Sequence, residues 1–243
     1  GTRDIWCRDY MPIQVAEDCF VQFKYDPRYL RYKKYRHTIT DVDAVCEAIG
    51  IRPVKSKIRL DGGNVVTSGT RVIITDRVFS ENPSYSRKRL LEELKELLRV
   101  ERVIIIPECP GDMTGHADGL VRFAGEAGPD KDTVYVSDLS FACPKYFPKL
   151  YSALTQAELT PILIPYSSPK KYDGMDASGT YINYLQVGKF VFYPVFGSKA
   201  DASAGKIFSD IFGSGAVPIR VGRLAKEGGV LNCISWNLLR KGK

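Results

Sequence analysis

One arrangement of strands and helices recurs along this chain and limits the folds open to it. Strand-like runs have cores beginning near Phe20, Val72, Val134 and Val191, spaced by about 50–60 residues. Each leads into a helical stretch, at residues 40–50, 86–98, 146–158 and 202–212. Further strands are expected at 100–106, 160–165 and 216–221, with upstream strands at 119–123 and 181–187. The clearest helix, 86–98, sets Leu90, Leu91, Leu94, Leu97 and Leu98 on one face. The 40–50 helix is expected to start at Thr40, with Asp43 three residues on as its capping partner. Each unit reads strand, strand, helix, strand. It has one apolar helix face and one apolar sheet face and cannot bury both alone. Packing several units around an axis would cover them, and an open α/β sheet is the alternative. Both are α/β.

Composition narrows the class. Of 243 residues, 44% are hydrophobic and 26% charged, ordinary values for a globular chain, here expected as one domain over 1–243. No apolar run approaches the ~20 residues of a membrane-spanning helix. Residues 1–20 show no signal-peptide pattern, although the chain begins at Gly1 rather than Met, which leaves a leader open. Six cysteines are scattered without a C-x-x-C pair, and His37 and His116 are the two histidines. Neither a disulfide scaffold nor a zinc or histidine-rich metal centre is expected, and reduced thiols point to the cytoplasm. The net charge of +7 permits an anionic partner or nucleic acid and demands neither. Residues 126–132 and 167–179 are turn-rich loops, the second a candidate lid.

Several short segments carry candidate chemistry. In Gly115-His116-Ala117-Asp118-Gly119, the imidazole and the carboxylate are two residues apart at the start of an apolar run. On a strand they would point to the same side, giving a group that titrates near neutral pH beside an acid. A structural histidine in a turn reads equally well. In Gly228-Gly229-Val230-Leu231-Asn232-Cys233, a glycine pair leads into a short apolar strand bearing one thiol, either a nucleophile or a buried small hydrophobe. Trp6-Cys7-Arg8-Asp9 and Leu60-Asp61-Gly62-Gly63-Asn64 each set a carboxylate by a turn or strand end. Together, one thiol, one imidazole and several carboxylates fit nucleophilic attack on a flat cation. Carboxylates would grip a guanidinium bidentately. The cation would help lower the thiol pKa, and the histidine would protonate departing ammonia and then activate water.

These segments carry a family resemblance. Trp6-Cys7-Arg8-Asp9-Tyr10-Met11-Pro12 resembles the W-x-R-D-x-x-P motif of the agmatine deiminase and bacterial peptidyl-arginine deiminase family. Asp61-Gly62-Gly63-Asn64, Gly115-His116-Ala117-Asp118, the Tyr181-Ile182-Asn183 strand and Gly228 to Cys233 resemble its later motifs, in the same order. The resemblance implies a pentein fold, an α/β propeller of ββαβ units around a pseudo-fivefold axis with the site in a central channel. It implies Cys233 as nucleophile, His116 as acid/base, and Asp9 and Asp118 as guanidinium ligands. Trp6, Asp61 and Asn183 are expected to bind substrate. The course would be a tetrahedral adduct, loss of ammonia, and a covalent thiouronium hydrolysed to a ureido product. No metal or organic cofactor is implied, and a homodimer is a candidate assembly. Two departures stand out. The family usually has Glu where this chain has Asp61, one methylene shorter. It also carries a further unit before W-x-R-D, so either the ring here lacks part of its N-terminal unit or it closes differently.

Residues 25–36 alternate basic side chains with tyrosines. They could contact phosphates and stack on bases, as in a non-catalytic relative that binds nucleic acid. From the resemblance, Arg28 or Arg31 could instead recognise a substrate carboxylate. They could also be a solvated loop whose long stems cover apolar surface. The guanidine deiminase is the favoured reading, with agmatine, arginine and peptidyl-arginine as substrates.

Overall fold

The computed structural model describes residues 1–33, 35–125, 130–167 and 176–239, and the side chain of Arg31 is outside that description. Most of the candidate lid and the turn-rich centre of 126–132 therefore lie outside the described residues.

Twelve described strands form four three-stranded sheets of one design. The first holds β1 (Ile13–Ala16), β2 (Cys19–Lys24) and β3 (Val54–Arg59). The second holds β4 (Val66–Ser68), β5 (Arg71–Thr75) and β6 (Arg102–Ile106), and the third β7 (Val121–Phe123), β8 (Thr133–Ser137) and β9 (Thr160–Ile164). The fourth holds β10 (Leu185–Val187), β11 (Phe190–Val195) and β12 (Ala216–Arg220). In every sheet the first pair is antiparallel and the second parallel. A parallel partner needs a crossover. The helices supply it: α2 (Val42–Ala48), α3 (Arg77–Glu81) with α4 (Arg87–Leu98), α5 (Phe147–Gln156) and α6 (Ala200–Phe212). Two short helices, α1 (Cys7–Tyr10) and α7 (Gly222–Ala225), stand outside the repeat.

Alternation along the central strands explains why no unit stands alone. Val72 and Ile74 of β5 pack with Val21, Phe23 and Ile58 of the first sheet and with Leu90, Leu94 and Leu98 of α4. Ile73, on the opposite face, joins Val121, Val134 and Val136 of the third sheet and Leu150 and Leu154 of α5. Tyr135 of β8 turns the other way, onto Val191, Tyr193 and Phe208 of the fourth unit. Each core is thus shared by two successive sheets. The segment after α7 returns to the start of the chain, where Trp236 Nε1 donates to Pro12 O at 2.8 Å.

Two local expectations shift. The helix expected from Thr40 begins at Val42, because Asp41 is the N-cap and accepts from Ala44 N. Thr40 Oγ1 accepts from Arg3 N instead, and Asp43 holds Lys55 and Gln22 rather than closing a capping box. By contrast Ser86 caps α4 by accepting from Arg89 N. Among the described residues no helix is long and apolar enough to cross a membrane.

Leu94 is fully buried between α4 and the first two sheets. Leu94→Ala should lower the unfolding free energy by about 2–5 kcal/mol, read from denaturant midpoints at unchanged slope.

Candidate active site

Five segments far apart in sequence are tied together by backbone bonds, which join them into two groups, and by side-chain bonds between the groups from Gly63 N to Asp9 Oδ1 and from Asn183 Nδ2 to Asp118 O. Arg8 N donates to Cys233 O at 3.1 Å, Asp118 N to Gly63 O at 3.0 Å, and Asn232 N to Asn183 O at 3.2 Å. These ties bring α1, the 3₁₀ turn Gly62–Asn64, the segment before β7, the segment before β10 and the turn after α7 to one place. They also correct the local geometry expected from sequence. His116 and Asp118 precede β7, where Leu120 N and Val121 N both donate to Ala117 O. They sit in a turn, not on a strand. Asn183 likewise precedes β10, and Cys233 lies in a turn rather than a strand.

His116 is 5% exposed and lies between two carboxylates. Its Nε2 is 3.1 Å from Asp61 Oδ2, and its Nδ1 is 3.6 Å from Asp9 Oδ1. Asp9 Oδ1 also accepts from Gly63 N at 3.2 Å. Gly63 has no room for a side chain, since a Cβ there would fall 2.5 Å from His116 Nδ1 and 2.6 Å from Asp9 Oδ1. Burial opposes the charged ring, but Asp9, Asp61 and Asp118 outweigh it and raise His116 to about 10. Burial, reinforced by Asp61 and Asp118, pushes Asp9 up to about 7, although the imidazole pulls it down.

The thiol sits in an amide cradle. Cys233 Sγ donates to Asn183 Oδ1 at 3.4 Å, and the same oxygen accepts from Asn232 N at 3.2 Å. Asn232 Nδ2 donates to Asp118 Oδ2 at 2.6 Å, and Asn183 Nδ2 to Asp118 O at 3.4 Å. One amide network therefore fixes both the sulfur and an acid. Burial, then Asp118 and Asp9, hold the thiol well above its usual pKa. Arg8 secures the turn from outside through Nε to Asn232 O at 3.3 Å. Trp6 closes it from above, against Gly229, where a Cβ would fall 2.5 Å from the indole and 3.0 Å from Cys233 Cβ.

Cys233, His116, Asp9, Asp118, Asn183 and Trp6 all line one cavity of about 120 Å³. Asp61 does not. It stands behind His116 and lines a separate cavity of about 20 Å³, so its carboxylate serves the imidazole rather than a ligand in the larger space. Arg28 is also absent from the cavity wall. Its Nε is 3.0 Å from Glu81 Oε1 and its guanidinium reaches Ser80 O. Arg31 was the other candidate, and its side chain lies outside the described residues. From the same run, Tyr29 lines the cavity and Tyr25 packs edge-on to Tyr10 at 5.9 Å. That run is thus partly occupied inside the protein.

Sequence reasoning gave no role to Arg8, Tyr29 or Asn232. Two lay within the quoted motifs, but their work is tertiary, and no local pattern announces it. Asp112, Asp176 and Glu227 on the cavity wall were also missed. Their only signal was acid near glycine, as common in plain turns.

His116 takes up its proton near 10 in the folded protein, against 6.5 for the free side chain. Its raised value contributes stability that is complete below pH 6.5 and is lost as pH rises through about 10. Denaturant midpoints from pH 6 to 10 should therefore fall more steeply for the native chain than for His116→Gln. Parallel curves would refute this charge arrangement.

A model of the Porphyromonas-type peptidyl-arginine deiminase family matches residues 1–238. A curated agmatine deiminase of Pseudomonas fluorescens is 26% identical over 210 residues, which cover 72% of this chain and 56% of that protein. Among solved structures, a cysteine-to-serine form of the C. jejuni agmatine deiminase with substrate bound matches with a TM-score of 0.78 at 18% identity, covering 96% of this chain and 73% of that one. An agmatine deiminase of Enterococcus faecalis matches with a TM-score of 0.75 at 19% identity, covering 94% and 73%. At such identities the likeness to the solved structures is one of fold.

Proposed function

Because this chain belongs to the Porphyromonas-type peptidyl-arginine deiminase family, we propose that its acid-lined cavity converts a guanidinium compound and water into a ureido product and ammonia. One observation carries this reading: the half-buried thiol of Cys233 and the buried imidazole of His116 share a cavity with Asp9 and Asp118. Such a space is deficient in positive charge and suits a flat cation held by two carboxylates.

Each residue then has a task. Asp9 and Asp118 grip the guanidinium nitrogens and set its carbon before Cys233. The arriving cation offsets the acids that hold the thiol protonated, so the thiol releases its proton to solvent and the nucleophile forms only when substrate is bound. The sulfur adds to the carbon to give a tetrahedral adduct. His116 delivers a proton to one nitrogen, which leaves as ammonia, and the carbon stays bound to sulfur as a thiouronium. His116 then takes a proton from water as its oxygen adds to that carbon. Collapse breaks the carbon–sulfur bond and passes the new hydroxyl's proton to sulfur, which frees the ureido product and restores the thiol, while the free ammonia takes up the proton released at the start. Asp61 keeps the imidazole turned for both transfers, and Asn183 with Asn232 keeps sulfur and Asp118 in register.

The wall favours a particular substrate. Asp112, Asp176 and Glu227 add negative charge beyond the guanidinium grip, and among the described residues no Lys or Arg lines the cavity. A carboxylate there would face like charge, whereas a second cation would be welcomed. Agmatine therefore ranks ahead of peptidyl-arginine, and free arginine comes last. We place the four described ββαβ sheets in a pentein-type ring about a pseudo-fivefold axis, with this cavity at its centre.

Ammonia and ureido product should be measured with agmatine, arginine and an arginyl peptide. Agmatine should lead arginine in kcat/KM by about tenfold or more, the worth of one unmatched charge. Cys233→Ala should lose about a thousandfold or more while remaining folded. Absence of ammonia from all three substrates with folded protein would end the deiminase reading.

A further inference from the structure

The backbone leading into His116 is held from behind by one guanidinium. Arg77, the first residue of α3, places Nε 2.7 Å from Glu108 Oε2. Its two other nitrogens donate to the carbonyls of Met113 at 2.9 Å and Asp112 at 3.1 Å. A planar fork that serves two carbonyls and a carboxylate is work that lysine, a point charge, cannot copy. The next residue but one, Gly115, has φ +63° and lies flat on this guanidinium: a Cβ there would fall 2.1 Å from Arg77 Nε. Its carbonyl accepts from Thr75 Oγ1 at 2.6 Å. Residues 112–116 thus form a partition. Asp112, Met113, Thr114 and His116 line the large cavity, while Thr114, His116 and Arg77 line the small one behind it.

We propose that Arg77 is a positioning residue for His116: by fastening the carbonyls of Asp112 and Met113 and packing under Gly115, it holds the imidazole between Asp9 and Asp61. This rests on the proton-transfer role given to His116 above. Arg77 touches neither the cavity that takes the substrate nor the thiol, so it acts through the backbone alone. Without it the partition loosens, and the ring drifts from the carboxylates that keep it charged.

The groups facing the ring are Asp9, Asp61 and Asp118, and none is altered by changing Arg77. With two histidines in the chain, His116 can be followed alone by NMR titration once His37 is assigned by substitution. In Arg77→Met, and equally in Arg77→Lys, the His116 titration should move down toward 6.5. With agmatine as probe, kcat should fall about 10–100-fold, as expected for a small misplacement of a reacting group, and by a larger factor than KM rises. Glu108→Gln keeps the guanidinium but weakens its anchor, and should shift His116 in the same direction by less. It provides the reading if Arg77 variants fail to fold, because Glu108 is partly exposed. A lowered melting temperature with the His116 titration and kcat unchanged would overturn the proposal. If the native chain fails to turn over agmatine, the titration still decides the role of Arg77 separately.

Discussion

Three carboxylates crowd a single buried imidazole, and the organisation of the site follows from that imbalance. Charge taken out of water is costly unless it is matched. His116 offers one positive charge against Asp9, Asp61 and Asp118, so the ring retains its proton and Asp9 is driven toward neutrality. A further cation is what this arrangement lacks. The same deficit keeps the Cys233 thiol protonated while the cavity holds no cation. In the proposed chemistry, affinity for substrate and activation of Cys233 therefore share one electrostatic cause.

The scaffold makes such crowding bearable by dividing labour. The apolar work is done between sheets, where Val72, Ile73 and Ile74 on one strand face alternate cores. The polar work is done at strand ends and turns, where irregular backbone leaves N–H and C=O groups available to meet other segments. Gly63 and Gly229 illustrate the requirement. Each lies where two functional side chains converge so tightly that a methyl group would displace one of them.

Much of the fold was legible because it rests on periodicity. The four repeated cores were visible in the runs around Phe20, Val72, Val134 and Val191, and the helix at Arg87–Leu98 in its leucine face. The motifs named the right residues for the cavity: Trp6, Asp9, His116, Asp118, Asn183 and Cys233. What the residues could not disclose was how they are held. His116, Asn183 and Cys233 looked like strand residues because apolar neighbours follow or precede them. They lie outside the strands, in segments tied to distant partners by Asp118 N to Gly63 O, Asn232 N to Asn183 O and Arg8 N to Cys233 O, and no local pattern encodes that. Asp61 looked like a ligand of the substrate, yet the geometry behind His116 turns it to the imidazole. Arg28 looked free to meet an anion, yet Glu81, 53 positions further on, holds it.

The sulfur-bearing turn comes after every segment that completes it. During synthesis, residues 6–9, 61–64, 116–118 and 183 all emerge before residue 233. A growing polypeptide can fold its early units and still contain no reactive centre. The cavity wall is complete once the late turn docks on α1 and Arg8 N meets Cys233 O. If Cys233 is the nucleophile proposed above, an unfinished product on the ribosome lacks it, a consequence of chain order alone.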